Sequence, residues 1–235
     1  MSEFNLKKKN ARRDAYFDKS NFLSKNGSKL INNNLNYMSK KFDKCLILDQ
    51  NLVINMKKFN YSEVNDINNI STDEEKFDSV LSNFDLQIPL SINSKNVLDK
   101  IMLKLNKNGL FCFNTITINS MKTLQNIFIE IDEKIYGGAY RRFGPFLDTS
   151  KLIEDLRISN FKDVVVGMDN LEINYSTFDM LRSDFRKFGI SNYFNKDYIF
   201  KKEFLKLTNK IFSKIIDNHQ YIPLELEIAT FTSWK

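Results

Sequence analysis

Apolar side chains recur along this chain at two spacings, and the spacing changes from segment to segment. Over residues 5–38 the apolar positions Tyr16, Phe17, Phe22, Leu23, Leu30, Ile31 and Leu35 fit a helical period, and Asn26-Gly27 interrupts it, which predicts two helices. Residues 44–49 are a short apolar run ending in an acid, the pattern of a parallel strand buried on both faces. Residues 77–84 predict a second buried strand. Residues 94–107 predict a helix with Val97, Leu98, Ile101, Met102 and Leu105 on one face, Ser94 as its N-cap and Asn108-Gly109 as its stop. A further buried strand is predicted over 110–116. Strand, helix, strand in this order makes a right-handed parallel βαβ unit.

Beyond it the pattern predicts helices over 120–134 and 148–158 with a loop over 137–146 between them. Residues 162–175 read as one long or two short strands, and helices follow over 177–188 and 197–217. Residues 224–234 alternate apolar and polar as a final strand. The fold class is α/β, in one domain over 1–235, with a helical segment over 1–43 and a helical insert or lid over 176–222 before the last strand. Residues 50–76 are polar and Asn-rich, with Leu52-Val53-Ile54 as the one clear apolar run, so a short edge strand is expected over 52–56.

Composition sharpens this in three places. There are 7 glycines in 235 residues, and Gly27 alone precedes Gly109, so no glycine-rich phosphate or dinucleotide loop exists in the first hundred residues. Residues 1–45 hold 11 Lys/Arg against 4 Asp/Glu, while 46–235 hold 24 against 25. This basic segment is either an ordinary solvated face or a reader of an anionic partner: an acidic carrier or partner protein, or, as a weaker reading, RNA. Cys45 and Cys112 sit in strand-like apolar runs and read as core residues of a reducing compartment, cytoplasmic or an organelle matrix. With these two cysteines and His219 apart from one another, no metal centre is expected. No apolar run approaches the ~18 residues of a membrane span. Trp234 and the many phenylalanines read as core, and His219 as structural.

From residue 77 onward the order of motifs resembles a known family. The residues concerned are Phe77-Asp78-Ser79-Val80-Leu81-Ser82-Asn83, Leu105-Asn106-Lys107-Asn108-Gly109-Leu110-Phe111 and Gly137-Gly138-Ala139-Tyr140-Arg141-Arg142-Phe143-Gly144-Pro145-Phe146. Leu171-Glu172-Ile173-Asn174-Tyr175, Arg186-Lys187-Phe188-Gly189-Ile190-Ser191-Asn192 and the closing Phe231-Thr232-Ser233-Trp234-Lys235 follow. Arg12-Arg13-Asp14-Ala15-Tyr16-Phe17 and Asn21-Phe22-Leu23 fit the same branch. The sequence resembles the class I S-adenosylmethionine (SAM) methyltransferases, in the branch of the malonyl-carrier-protein O-methyltransferase of biotin synthesis and the related mitochondrial complex I assembly factor.

The resemblance implies a Rossmann-like sheet in the order 3-2-1-4-5-7-6 with strand 7 antiparallel, and SAM as cofactor at the carboxyl ends of the strands. It places Asp49, Ser82, Asn83 and Thr115 along that edge, the first three as cofactor-side residues, and Arg141, Arg142 and Tyr175 on the substrate side. Arginine suits a carboxylate or a phosphate because its planar fork binds oxyanions in pairs of hydrogen bonds. The family's glycine-rich loop after strand 1 has no counterpart in Asp49-Gln50-Asn51-Leu52. The 27 residues of 50–76 are also too few for two βα units, so the sheet is expected to be truncated at the strand 2/3 edge. Asp66, Asp73, Glu74 and Glu75 are the acids left to stand in for the one that the family places at the end of strand 2. Two functions follow: a SAM-dependent methyltransferase acting on a carboxylate or protein substrate, or a cofactor-deficient relative that works as a binding or complex-assembly factor.

Overall fold

A computed structural model describes residues 4, 21–48, 52, 60–63, 75–188, 194 and 201–235. It divides into two compact units: residues 22–118, 145–169 and 227–235 form one, and residues 1–21, 119–144 and 170–226 form the other.

The first unit is built on helix α1 (Phe22–Tyr37), strands β1 (Lys44–Ile47), β2 (Asn60–Glu63) and β3 (Phe77–Asn83), helix α2 (Gln87–Lys104), strand β4 (Leu105–Ile116) and helix α4 (Thr149–Ile158). The second holds helices α3 (Lys122–Tyr136), α5 (Phe178–Phe188) and α6 (Lys202–His219). Strands β5 (Lys162–Tyr175) and β6 (Ile222–Trp234) complete the list. The sheet has six strands in the order β2-β1-β3-β4-β6-β5. β1 runs parallel to β2 and β3, β3 parallel to β4, and β6 antiparallel to β4. This is the order that the resemblance implies, without a strand-3 unit among the described residues.

Three sequence expectations are corrected. α1 runs unbroken through Asn26 and Gly27. Its inner face is Leu23, Ser24, Gly27, Ser28 and Ile31, so the glycine serves a close approach and not a helix break. α2 begins seven residues earlier than the apolar pattern suggests and is kinked at Asn93, whose backbone is non-helical. The Asn93 side chain accepts a hydrogen bond from the Asn96 N–H, so Asn93 rather than Ser94 caps the second half. α2 passes directly into β4 at Leu105, and Asn108-Gly109 lie inside that strand. There Phe77 faces Leu105 while Ser79 faces Leu110, so β4 carries a bulge between these pairs, with Asn108 at φ +59°.

The described residues hold an edge strand outside the apolar run Leu52-Val53-Ile54. It lies at Asn60–Glu63, in register with β1 from Lys44 opposite Asn60 to Ile47 opposite Glu63. Residues 53–56, where the apolar run suggests it, lie outside the described residues, while Leu52 is buried. The twelve residues between β1 and β2 meet the minimum of ~10–12 for a parallel crossover.

Alternation along β1, β3 and β4 divides the first unit's core into two layers. Leu46, Val80, Phe111 and Phe113 pack with Leu98 and Ile101 of α2 and Leu152 and Leu156 of α4. Cys45, Ile47, Leu81, Leu110 and Cys112 pack with Ile31 of α1 and Phe42. Phe113 stacks on Phe111 and Phe231 at 4.6 and 4.8 Å between ring centres. Each such buried aromatic contributes roughly 1.5–3 kcal/mol by removal from water. Trp234 is half-buried at the margin of the second layer, stacked on Phe42 with the Lys40 ammonium over its ring. In the other unit, Phe128 packs against Phe143, Phe204 and Phe212, and Phe178 stacks on Phe212 at 4.4 Å. No helix among the described residues is long and apolar enough to cross a membrane.

Candidate functional site

Because β1, β2, β3 and β4 are parallel, their carboxyl ends share one edge, where open α/β sheets place ligands. Ser82 and Asn83 end β3 there, and both are fully buried. They point to opposite faces. Ser82 Oγ donates to the Leu48 carbonyl at 3.4 Å and extends the β1–β3 ladder. Asn83 turns toward α1: its amide nitrogen donates to Ser24 O and Ser28 Oγ, and its Oδ1 accepts from Asn114 Nδ2 at 2.9 Å. Asn114 also donates to Gly27 O at 2.7 Å and accepts from Thr230 Oγ1 at 2.7 Å. One polar chain therefore crosses three neighbouring strands and ties α1 to them. A buried amide without partners costs about 1–3 kcal/mol, and here each one is paired.

A second cluster lies under the other face. Thr115 Oγ1 and the Ile116 N–H both donate to Gln87 Oε1. Gln87 Nε2 donates to the carbonyls of Ile116 and Pro145. Gln87 thereby fixes the start of α2 to the end of β4 and to the chain entering α4. Sequence reading missed Gln87 and Asn114. The available signal for Asn114 was a polar residue inside the apolar run 110–116, which a buried strand tolerates only when it is hydrogen-bonded.

Asp49 lies outside the described residues, as do Asp66, Asp73 and Glu74. Glu75 pairs with Lys44 at 2.5 Å, and Lys44 opens β1, so this acid stands at the amino end of the sheet, away from the ligand edge. The acid that does stand at the carboxyl end of β2 is Glu63, its last residue. A four-residue strand made of Asn, Tyr, Ser and Glu carries no apolar periodicity, and for that reason sequence reading passed over it.

The expected substrate-side residues belong to the second unit. Arg142 forms a two-pronged ion pair with the fully buried Asp132, through Nε to Oδ2 at 2.8 Å and through its terminal nitrogen to Oδ1. Its guanidinium lies 4.0 Å from the centre of the Phe204 ring. Asp132 also accepts from the Tyr140 N–H. This arrangement anchors the loop after Gly137, whose φ of +74° ends α3. Arg141 is exposed. Tyr175 is buried and donates to Asp184 Oδ2 at 3.0 Å, and burial followed by the Asp184 charge raises its phenol well above the usual range. Burial likewise pushes the Cys45 and Cys112 thiols up to about 12.

Among solved structures, the chain is similar to a methyltransferase candidate from Bacillus halodurans C-125, at 11% identity and a TM-score of 0.50, over 89% of this chain and 98% of that one. It is similar to the YcgJ protein of Bacillus subtilis at 10% identity and a TM-score of 0.50, over the same shares. A SAM-dependent methyltransferase from Archaeoglobus fulgidus follows at 11% identity and a TM-score of 0.44, over 90% and 94%. No protein-family model and no curated protein matches. The first two similarities concern the fold alone, a methyltransferase-like Rossmann α/β sheet.

Proposed function

We propose that this protein is a SAM-dependent methyltransferase whose cofactor lies across the carboxyl ends of β1 and β2. The observation that carries this reading is β2 itself. The sequence has room for at most one of the family's two edge units, and Asn60–Glu63 pairs in parallel with β1 and ends in an acidic residue, Glu63, in register with Ile47. An acid at that register position fits the ribose of SAM, because a carboxylate accepts hydrogen bonds from two vicinal hydroxyls. Bound SAM would supply an electrophilic methyl group for in-line transfer, a reaction that asks the protein mainly to position donor and acceptor. By family resemblance the acceptor class is a carboxylate or a protein side chain. The described residues contribute a rigid edge: Ser82, Asn83, Gln87 and Thr115 hold the strand ends in place through buried hydrogen bonds.

That same commitment supports a second reading, a cofactor-deficient binding or assembly factor, since those four polar side chains already have partners within the protein. Calorimetric titration with SAM, with thermal unfolding in parallel, separates the two. Saturable binding that raises the unfolding temperature, weakened about tenfold or more in Glu63→Gln, is the expected result, since hydrogen bonds to a charged group are worth ~1.5–3 kcal/mol. No heat and no stabilisation at millimolar SAM would overturn the enzyme reading in favour of the binding factor.

A further inference from the structure

The tripeptide Lys-Asn-Gly occurs twice in this chain, as Lys25-Asn26-Gly27 and as Lys107-Asn108-Gly109. Asparagine followed by glycine carries a reaction of its own. The backbone nitrogen of the glycine can attack the side-chain carbonyl carbon of the asparagine and close a five-membered imide. Glycine favours this step because it has no Cβ to obstruct the approach. The tripeptide is the same at both places, so a difference between them comes from the fold.

At the first place the fold blocks the reaction twice. Gly27 lies inside α1, where its N–H is committed to the carbonyl four residues back. The glycine is buried against Asn83 and Phe84, so the backbone there has no room to turn. The Asn26 amide is also engaged, donating to Phe22 O at 2.8 Å.

The second place is the bulge of β4. Asn108 is exposed, and its backbone is left-handed at φ +59°. No residue of β3 stands in register with it, since the pairing steps from Phe77–Leu105 to Ser79–Leu110. On the other side of β4, the Asn108 N–H donates to Lys235 O at 3.2 Å and the Gly109 carbonyl accepts from the Lys235 N–H at 3.0 Å. Two consecutive residues therefore face one, and the Gly109 N–H stays outside that exchange. The Asn108 carbonyl accepts from Lys40 Nζ at 2.5 Å, so these bonds of Asn108 to described residues run through its main chain.

We propose that Asn108-Gly109 is a site of self-modification in the folded protein, where Asn108 becomes aspartate and isoaspartate while Asn26 persists. In the first step the bond from Gly109 N to Asn108 Cγ forms and the Cγ–Nδ2 bond breaks. The Gly109 amide proton passes to hydroxide or water, the departing nitrogen takes a proton from water, and ammonia leaves. Water then opens the imide. Opening at Cγ gives aspartate, and opening at the main-chain carbonyl gives isoaspartate, whose backbone runs through Cβ. Water is the co-reactant, and nothing is oxidised or reduced. Aspartate tolerates left-handed backbone as asparagine does, so that product fits the bulge. Isoaspartate lengthens β4 by one main-chain atom beside Lys235. The site involves neither SAM nor Glu63.

The test incubates the full chain at physiological temperature in mildly alkaline buffer made with heavy-oxygen water, then digests it at acidic pH for mass spectrometry. In the folded protein the Asn108 peptide should lose ammonia and gain label, giving both aspartate and isoaspartate. It should do so about tenfold or more faster than the Asn26 peptide, because Asn26 reacts only from a locally opened helix. In the chain unfolded in urea the two peptides should convert at closely similar rates. Asn108→Ser should abolish labelling of its own peptide and leave the Asn26 peptide as it was. Equal rates at the two sites in the folded protein, conversion of Asn108 only after unfolding, or aspartate formed without isoaspartate would overturn the proposal.

Discussion

Gly27 of α1 and Asn83 of β3 meet so closely that a Cβ on Gly27 would stand 2.0 Å from Asn83 Oδ1 and 2.5 Å from the Phe84 ring. The glycine is in ordinary helical conformation, so what it supplies here is space. The contact lets the Gly27 carbonyl accept from Asn114, and it seats α1 directly on the strand ends.

Gly27→Ala should therefore destabilise the protein, although alanine is favoured over glycine in helices by about 1 kcal/mol. The methyl group displaces Asn83 or lifts α1, and either movement breaks the Asn83–Asn114 bond. The expected net loss is on the order of 3 kcal/mol in chemical denaturation, from overpacking and an orphaned amide together. An unchanged or higher midpoint would show that α1 has room that the structure denies it.

Asn114 is the centre of the polar chain, and Asn114→Ala strips partners from Asn83 Oδ1, Gly27 O and Thr230 Oγ1 at once. A loss on the order of 3 kcal/mol or more is expected, against about 1 kcal/mol for Thr230→Ala, which removes one bond at its end. Amide exchange should quicken across residues 22–37 before the rest of the sheet. If exchange in α1 is unaffected, the network does not hold that helix.

Arg142 and Asp132 are predicted to act as a structural pair, with side-chain exposures of 11% and 0%. Arg142→Met leaves the Asp132 charge buried without its cation and should cost roughly 3–5 kcal/mol. Arg142→Met combined with Asp132→Leu should recover most of that, since the pair is replaced together by apolar groups. A double variant as unstable as the single one would place the value of Arg142 elsewhere, for instance in its packing over Phe204.

Asp78 sets an acid-side dependence. Partial burial works against its charge, but the Asn106 amide, the backbone N–H groups of Lys44 and Asp43, and the Lys40 ammonium outweigh it and hold the carboxyl below its ordinary value. A depressed carboxyl contributes stability that is present above its unfolded pKa of about 3.9 and is lost as pH falls through the folded value. Asp78→Asn should accordingly flatten the stability profile below about pH 4 and leave its slope near pH 7 unchanged. A profile that parallels the native protein throughout the acid range would rule out this carboxyl as a contributor.

Much of the sheet was legible because burial imposes a pattern on sequence. β3 and β4 carry apolar stretches at Val80-Leu81 and Leu110–Phe113 that are buried on both faces, β6 alternates, and the glycine deficit before residue 109 shows that no glycine-rich loop follows β1. β2 was not legible, because four polar residues at a sheet edge hydrogen-bond through their backbone and leave no trace in side-chain periodicity. The roles of Arg142 and Tyr175 were not legible either. Motif order names the residues, but only their neighbours Asp132, Phe204 and Asp184 say what the side chains touch.

The sequence by itself determined the α/β class and the positions of the buried strands, because each depends on local periodicity or on composition. Tertiary structure decided which polar residues at the sheet's carboxyl edge are already paired, that Gly27 serves contact, and that an acid ends β2. These depend on which residues distant in the chain come within hydrogen-bonding reach, as Gly27, Asn83, Asn114 and Thr230 do here, and a linear pattern does not encode that proximity.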